Sequence, residues 1–147
     1  MRPELIDDIV EIMREIHVES RTYGQLPWDE AQLRTRLIQL VALPQGYVDY
    51  VEGKGVMLGL LHEHWTGVMT VGSVLLWYVK PEFRGGSLGI RLLDRWHRFC
   101  DDSEVVFTYA GDSAGLESSS SLSILGRKGY THSATVMQRR HDNATSD

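Results

Sequence analysis

Between Leu75 and Leu93 the chain runs from a nearly continuous apolar stretch, through a proline, into Arg-Gly-Gly-Ser-Leu-Gly and then into a helical pattern. That succession constrains the fold more than any other part of the sequence. An apolar run of this kind suits a strand covered on both faces. Pro81 lacks a backbone donor, so strand pairing should stop there. Gly85 and Gly86 let the backbone turn sharply and approach a ligand with no Cβ in the way. The free N–H groups of Gly86, Ser87, Leu88 and Gly89 would then stand at the positive end of a helix dipole, an anion site suited to a pyrophosphate. Arg84 adds a charge-assisted contact. No Lys-Ser/Thr follows the glycines and the GxGxxG spacing is absent, which excludes a P-loop and a dinucleotide fingerprint.

The rest of the chain reads as one α/β domain. Leu5, Ile6, Ile9, Ile12, Met13 and Ile16 recur at helical spacing, predicting an amphipathic first helix of about 15 residues. Asp29, with Gln32 three residues on, predicts the start of a second helix carrying Leu33, Leu37, Leu40 and Val41, ended by Pro44-Gln45-Gly46. Strands are predicted at Tyr47 to Val51, Val56 to Trp65 and Met69 to Val79, the last two joined near Thr66-Gly67. After the helix that begins near Leu88, a strand at Val105 to Tyr109, a serine-rich helix within Gly111 to Ser123 and a last strand at Thr131 to Gln138 complete the order α-α-β-β-β-α-β-α-β. Hairpins followed by a βαβ crossover give a single-domain mixed, largely antiparallel sheet flanked by helices. Residues 1–140 form that domain, and 141–147 are a polar tail expected to be disordered.

Composition narrows the partners. A formal net charge of -5 argues against a general nucleic-acid binder and permits a cationic acceptor such as an amine. No apolar stretch has the length of a membrane span, and the acidic amino terminus does not resemble a secretory signal. One cysteine, Cys100, fits a reducing compartment, so the cytoplasm is the expected location. Assembly as a homodimer stays open.

Val79, Pro81, Arg84, Gly85, Gly86, Ser87, Leu88 and Gly89, with Leu92 and Leu93 after them, resemble the signature of the GCN5-related N-acetyltransferase (GNAT) superfamily, Val-x-Pro-x-x-Arg-Gly-x-Gly-x-Gly before a leucine-bearing helix. Ser87 stands where the family usually has glycine. Leu125 to Tyr130 is similar to the family's helix ending before Gly-Phe, and the element order agrees from about Pro3 to Arg139. The resemblance implies the acyl-CoA N-acyltransferase fold, with two neighbouring parallel strands splayed apart. It implies a pantetheine arm bonded to backbone of the strand ending in Trp77, Tyr78 and Val79, and a pyrophosphate on Gly85 to Gly89. The implied activity is acetyl transfer from acetyl-CoA, as co-substrate, to a primary amine of a small molecule or protein, by direct attack. Three departures accompany it. The family's first strand is short or missing, Leu125 stands where many members have a tyrosine near the thiolate, and Val71 and Ser73 stand where many have a glutamate.

That leaves the proton acceptor to be found elsewhere. His62, Glu63 and His64 lie on the adjacent strand, and alternation places Glu63 on the face opposite the two histidines. Glu63 is favoured of the three, because a carboxylate there would also attract a cationic amine before deprotonation. The two histidines share a face, but a zinc site needs three or four ligands, so no metal is expected. Tyr23, Trp28 and Trp65 are candidates for an acceptor pocket, weighed against covering the core edge. Two other readings stay open. The domain could bind coenzyme A without transferring, acting through a partner. Gly111-Asp112-Ser113-Ala114-Gly115 also spells a nucleophile elbow, with Ser113 as an esterase serine, although no oxyanion segment precedes it and the chain is short for that fold.

Overall fold

The structure is a computed structural model and describes residues 3–20, 23–111, 120–133, 137 and 139–141 of the chain. It opens with helix α1 (Pro3–Glu19), a single 3₁₀ turn at Tyr23–Gln25 and helix α2 (Glu30–Ala42). The periodicity of α1 delivers Ile6, Ile9, Ile12 and Ile16 to the interior on one stripe. Asp29 caps α2, its carboxylate accepting the Gln32 N–H at 3.0 Å, and satisfies one of the donors a helix start leaves orphaned.

Four strands follow in the order β1 (Gly46–Val51), β2 (Gly55–Glu63), β3 (Thr70–Val79) and β4 (Phe107–Tyr109). The first three pair antiparallel, and β4 lies parallel to β3 after a crossover through α3 (Leu88–Asp102). The sheet is mixed and largely antiparallel, as the sequence predicts, and the first element is a helix. One core cluster sits between α1, α2 and the face carrying Val56, Leu58, Leu76 and Tyr78. The other sits beneath α3 and α4 (Ser120–Arg127), where Trp96 is fully buried beside Met57, Leu61, Leu92 and Leu93. Trp96 lies on the sheet over two glycines. A Cβ at Gly59 would come within 2.4 Å of its ring and one at Gly72 within 3.0 Å.

The ladder between β2 and β3 carries one irregularity. Leu58 faces Leu76 but Gly59 faces Val74, so Leu75 is an extra residue on β3. Such a bulge bends the strand and raises its local twist. It falls just past the end of the β3–β4 pairing, which covers only Val71 to Ser73 against Phe107 to Tyr109. From Val74 to Val79 the far edge of β3 has no strand beside it among the described residues.

Strand β2 stops at Glu63 instead of Trp65 and β4 starts at Phe107 instead of Val105, and two later elements differ more from expectation. The helix expected within Gly111 to Ser123 is found at Ser120–Arg127, with Leu125 as its buried anchor, and 112–119 lie outside the described residues. The strand expected at Thr131 to Gln138 lies partly outside them too. Thr131, His132 and Ser133 are irregular and exposed, three polar residues with no apolar side chain to seat against the sheet.

Candidate functional site

The strand–turn–helix read from the sequence is a loop held at both ends. On the β3 side, a 3₁₀ turn at Pro81–Phe83 redirects the chain. Arg84 then folds back, its Nε donating to the Val79 carbonyl at 2.8 Å. Its two terminal nitrogens bond the Glu19 carboxylate at the end of α1, at 2.9 and 3.2 Å. The Tyr78 hydroxyl donates to the same carboxylate at 2.8 Å, and the guanidinium lies over the Tyr78 ring. The Arg84 bonds hold the Glu19 carboxyl below its ordinary range, while burial, seconded by Glu19, pushes the Tyr78 hydroxyl up. On the α3 side, the Trp77 indole N–H donates to the Gly89 carbonyl at 3.1 Å, and buried Leu88 roots the first turn in the core.

Between those anchors the backbone donors are left over. Gly85 takes φ +89°, a left-handed conformation that favours glycine. Among the described residues, no backbone acceptor pairs with the N–H groups of Gly85, Gly86, Ser87, Leu88, Gly89 or Ile90. Ser87 is the N-cap of α3 and makes no side-chain capping bond. Exposed Arg91, just inside the helix, has no acidic partner among the described residues. A run of unpaired N–H groups at a helix start is a receptor for an anion of more than one oxygen. Arg84, expected to meet that anion directly, is placed on Glu19 and serves the loop by fixing its entry. Trp77 and Tyr78 likewise anchor it through their side chains.

The second half of the site lies where β3 and β4 part. Gly72 faces Trp96 and Cys100 on α3, so its neighbour Ser73 faces the opposite side of the sheet, the side of α1 and α2. His62 on β2 stands diagonally across from it on that face, Leu60 being opposite Ser73 and His62 opposite Val71. The His62 Nε2 and the Ser73 hydroxyl are 2.8 Å apart, and the other ring nitrogen, Nδ1, is 3.2 Å from the Glu63 carbonyl. His62 and Glu63 also line an open hollow of about 360 Å³ with Leu43, Gln45, Leu60, Leu61 and Thr70.

The other candidates are dispersed. His64 belongs to the β2–β3 turn, where its Nδ1 accepts the Thr66 N–H at 3.3 Å and lies 2.8 Å from the Thr66 hydroxyl. Trp65, 90% exposed, touches only that histidine's ring among the described aromatic contacts. Trp28 packs beside His17 and under Arg14, and Tyr23 against the α1–α2 core. None of the three aromatics lines the hollow beside His62. Val71 and Leu125, which stand where the sequence resemblance implies a glutamate and a tyrosine, are core residues. Burial pushes the Cys100 thiol up to about 12, an inert core thiol. A second hollow, about 530 Å³, is lined by His97, Thr108 and Tyr130 among others and shares no residue with the loop or with Ser73. The Tyr130 hydroxyl there already pairs with His97 and Thr108. Ser113 lies outside the described residues. Among the described residues no three potential metal ligands converge, and no helix is long and apolar enough to cross a membrane.

No family model matches the chain, and no curated protein sequence does. Solved structures do resemble it. An aminoglycoside antibiotic 6'-N-acetyltransferase from Acinetobacter haemolyticus superposes with a TM-score of 0.67 at 15% identity, covering 97% of this chain and 95% of that one. A predicted acetyltransferase from Clostridium acetobutylicum, solved with acetyl-CoA, gives 0.69 at 13% identity over 95% and 92%. An acetyltransferase from Trypanosoma brucei gives 0.66 at 15% identity over 92% and 94%. At these identities the likeness shows the fold alone, one that this chain shares with these acetyltransferases.

Proposed function

We propose that the chain is an N-acetyltransferase that takes the acetyl group of acetyl-CoA and delivers it to a primary amine by direct attack. One observation carries the reading. The N–H groups from Gly85 to Ile90, unpaired among the described residues, stand at the end of a strand that from Leu76 to Val79 has no second strand on its far edge among those residues. An anion receptor continuous with an open strand edge suits a ligand that has a pyrophosphate at one end and an extended amide-bearing arm behind it. Gly85, Gly86, Ser87, Leu88 and Gly89 would hold the pyrophosphate. The backbone of Trp77, Tyr78 and Val79 would pair with the arm. From Val79 back to Ser73 the strand spans roughly 20 Å, a distance comparable to an extended phosphopantetheine arm. The thioester would thus come to rest near the point where β3 and β4 part.

The amine would enter from the α1–α2 face, opposite α3. Its class is a small-molecule or protein amine, and the likeness to an aminoglycoside acetyltransferase makes aminoglycosides one sensible member of a test panel. The chain's net charge of -5 favours a cationic acceptor over an anionic one.

Thermal unfolding with and without acetyl-CoA tests the cofactor. At a concentration 100 times Kd, binding to the native state adds about 2.7 kcal/mol. A domain of this size gains about 2–4 °C per kcal/mol, so the melting temperature should rise by roughly 5–11 °C. No rise at millimolar acetyl-CoA refutes the assignment. Amine-dependent release of coenzyme A, followed with a thiol reagent across a panel of small amines and peptides, tests transfer. A thermal shift without release from any amine would leave a CoA-binding domain that acts through a partner.

A further inference from the structure

Transfer from a thioester to an amine requires a place for a proton, because an ammonium nitrogen has no lone pair with which to attack. We propose that His62 and Ser73 form one proton-accepting unit, with the Ser73 hydroxyl touching the acceptor nitrogen and the His62 imidazole receiving the proton through it. This rests on the acetyl-transfer reading and adds to it the groups that make the amine reactive.

Three features of the structure carry the assignment. The first is position: Ser73 is the last residue of β3 paired with β4, two residues before the Leu75 bulge. The second is face, since Ser73 points away from α3 and toward the side from which an acceptor would come. The third is tautomer. With Nδ1 donating to the Glu63 carbonyl at 3.2 Å, Nε2 is left as the acceptor for the Ser73 O–H at 2.8 Å. An imidazole whose far nitrogen is fixed by a carbonyl presents its basic nitrogen in one direction, the arrangement by which histidine bases are oriented. His62 is itself exposed and borders the hollow, so it can return the proton to solvent.

The acceptor ammonium passes one proton to the Ser73 oxygen as the Ser73 hydroxyl proton passes to His62 Nε2. The freed lone pair attacks the thioester carbonyl and forms the C–N bond. The C–S bond breaks with its electrons on sulfur, and the second nitrogen-bound proton goes to that thiolate. His62 then releases its proton to water.

The titratable groups around His62 are Glu63, which lines the same hollow, and His64 in the following turn. Leu43 and Gln45 beyond α2, and Thr70 and Val71 on β3, carry no charge. Glu63→Gln removes the one carboxylate lining that hollow but keeps the imidazole, so the acid limb of the rate should persist, and the variant separates a carboxylate base from the His62–Ser73 unit.

The experiment is the pH dependence of kcat for wild type, His62→Ala, His62→Gln, Ser73→Ala, Ser73→Thr and Glu63→Gln. Acetyl-CoA thermal shifts are taken on the same preparations. His62→Ala and His62→Gln should lose about 100-fold or more and flatten the acid limb. Added imidazole should restore part of the His62→Ala activity. Ser73→Ala should fall by at least about tenfold, and Ser73→Thr, which keeps the hydroxyl, should recover most of it. All variants should retain the acetyl-CoA shift. A loss below about threefold in both His62 variants, with the acid limb intact, overturns the proposal. So does acetyl-serine at Ser73 in acid-quenched enzyme, which would make that residue a nucleophile. A wild type that binds acetyl-CoA but releases no coenzyme A with any amine overturns the transfer reading itself, and this proposal with it, a result distinct from active enzyme indifferent to His62.

Discussion

Replacing Gly85 with alanine separates the loop's shape from its mere presence. At φ +89° an added Cβ meets no atom within 4 Å, so the cost is backbone strain alone. For an L-residue held in the left-handed region that is roughly 1–2 kcal/mol. Where the strain appears depends on what holds the free loop. Arg84 and Leu88 fix its ends, but Gly85 to Ser87 are exposed, with no backbone bond from their N–H groups among the described residues. The free loop can therefore relax, and the ligand must restore the strained form when it binds. Most of the strain should then appear as lost affinity, about 5- to 30-fold in Kd at tenfold per 1.4 kcal/mol, with little change in melting temperature. Gly53→Ala supplies the matched control. Gly53 sits at φ +70° with open space around its Cβ, but in the β1–β2 turn, pinned by its N–H to the Tyr50 hydroxyl at 3.0 Å. It should lose a comparable amount of stability, about 1–2 kcal/mol, and no affinity. Calorimetry for acetyl-CoA and urea denaturation on both variants give the four numbers. If Gly85→Ala loses stability as Gly53→Ala does while Kd stays put, the left-handed turn at Gly85 is not part of the conformation that binds.

The core and the Arg84 anchor can be probed in the same way. Gly59→Ala pushes a methyl within 2.4 Å of a fully buried Trp96 ring that is itself wedged against Tyr47 and Phe99, so it should destabilise the domain by about 1–3 kcal/mol in urea denaturation; no change in midpoint would mean that the ring can move. Glu19 has its folded-state pKa lowered, chiefly by hydrogen bonding to Arg84, so the stability it contributes is present at neutral pH and lost as pH falls through the folded value. Glu19→Gln should accordingly lower the melting temperature at pH 7 and converge with wild type in acid, and a gap of the same size at both pH values would refute the linkage.

The loop is legible in the sequence because everything that makes it is local. Pro81 stops the strand, the glycines free the backbone and the helix pattern begins at Leu88, all within a short stretch of chain. The amphipathic stripe of α1 and the Asp29 cap are legible for the same reason. Long-range partners are not. Arg84 looks like an anion ligand in isolation, and only the return of α1 past the end of β3 brings Glu19 to it, 65 positions away in sequence. The aromatic residues Tyr23, Trp28 and Trp65 occupy loop segments, which suggests a common pocket, but loop position does not say where a ring packs. Trp28 lies against α1 and Trp65 at a hairpin tip.

The pairing of His62 with Ser73 shows most clearly why this half of the site is hidden. Alternation alone puts His62 and His64 on one face, and the sequence offers no reason to join either to a serine on the next strand. The join depends on the register of β2 against β3, and that register changes at the bulge. Had the ladder continued without the extra Leu75, fixing the pairing at Leu58 with Leu76 would have set Leu60 opposite Val74 instead of Ser73. His62 would then stand across from Gly72, and Ser73 would point to the α3 side, because a one-residue slip exchanges the faces of a strand. The same inserted residue lets Val74 and Trp77 both pack toward α3. It also lies one residue beyond Val74, the first β3 position without a β4 partner. One bulge thus divides β3 into a segment paired with both β2 and β4 and a segment, Leu76 to Val79, with β2 alone beside it among the described residues. It leaves the hydroxyl at the junction facing away from the helix whose start carries the unpaired N–H groups. The geometry that would receive an acyl donor from one side and an amine from the other is set by that single residue count.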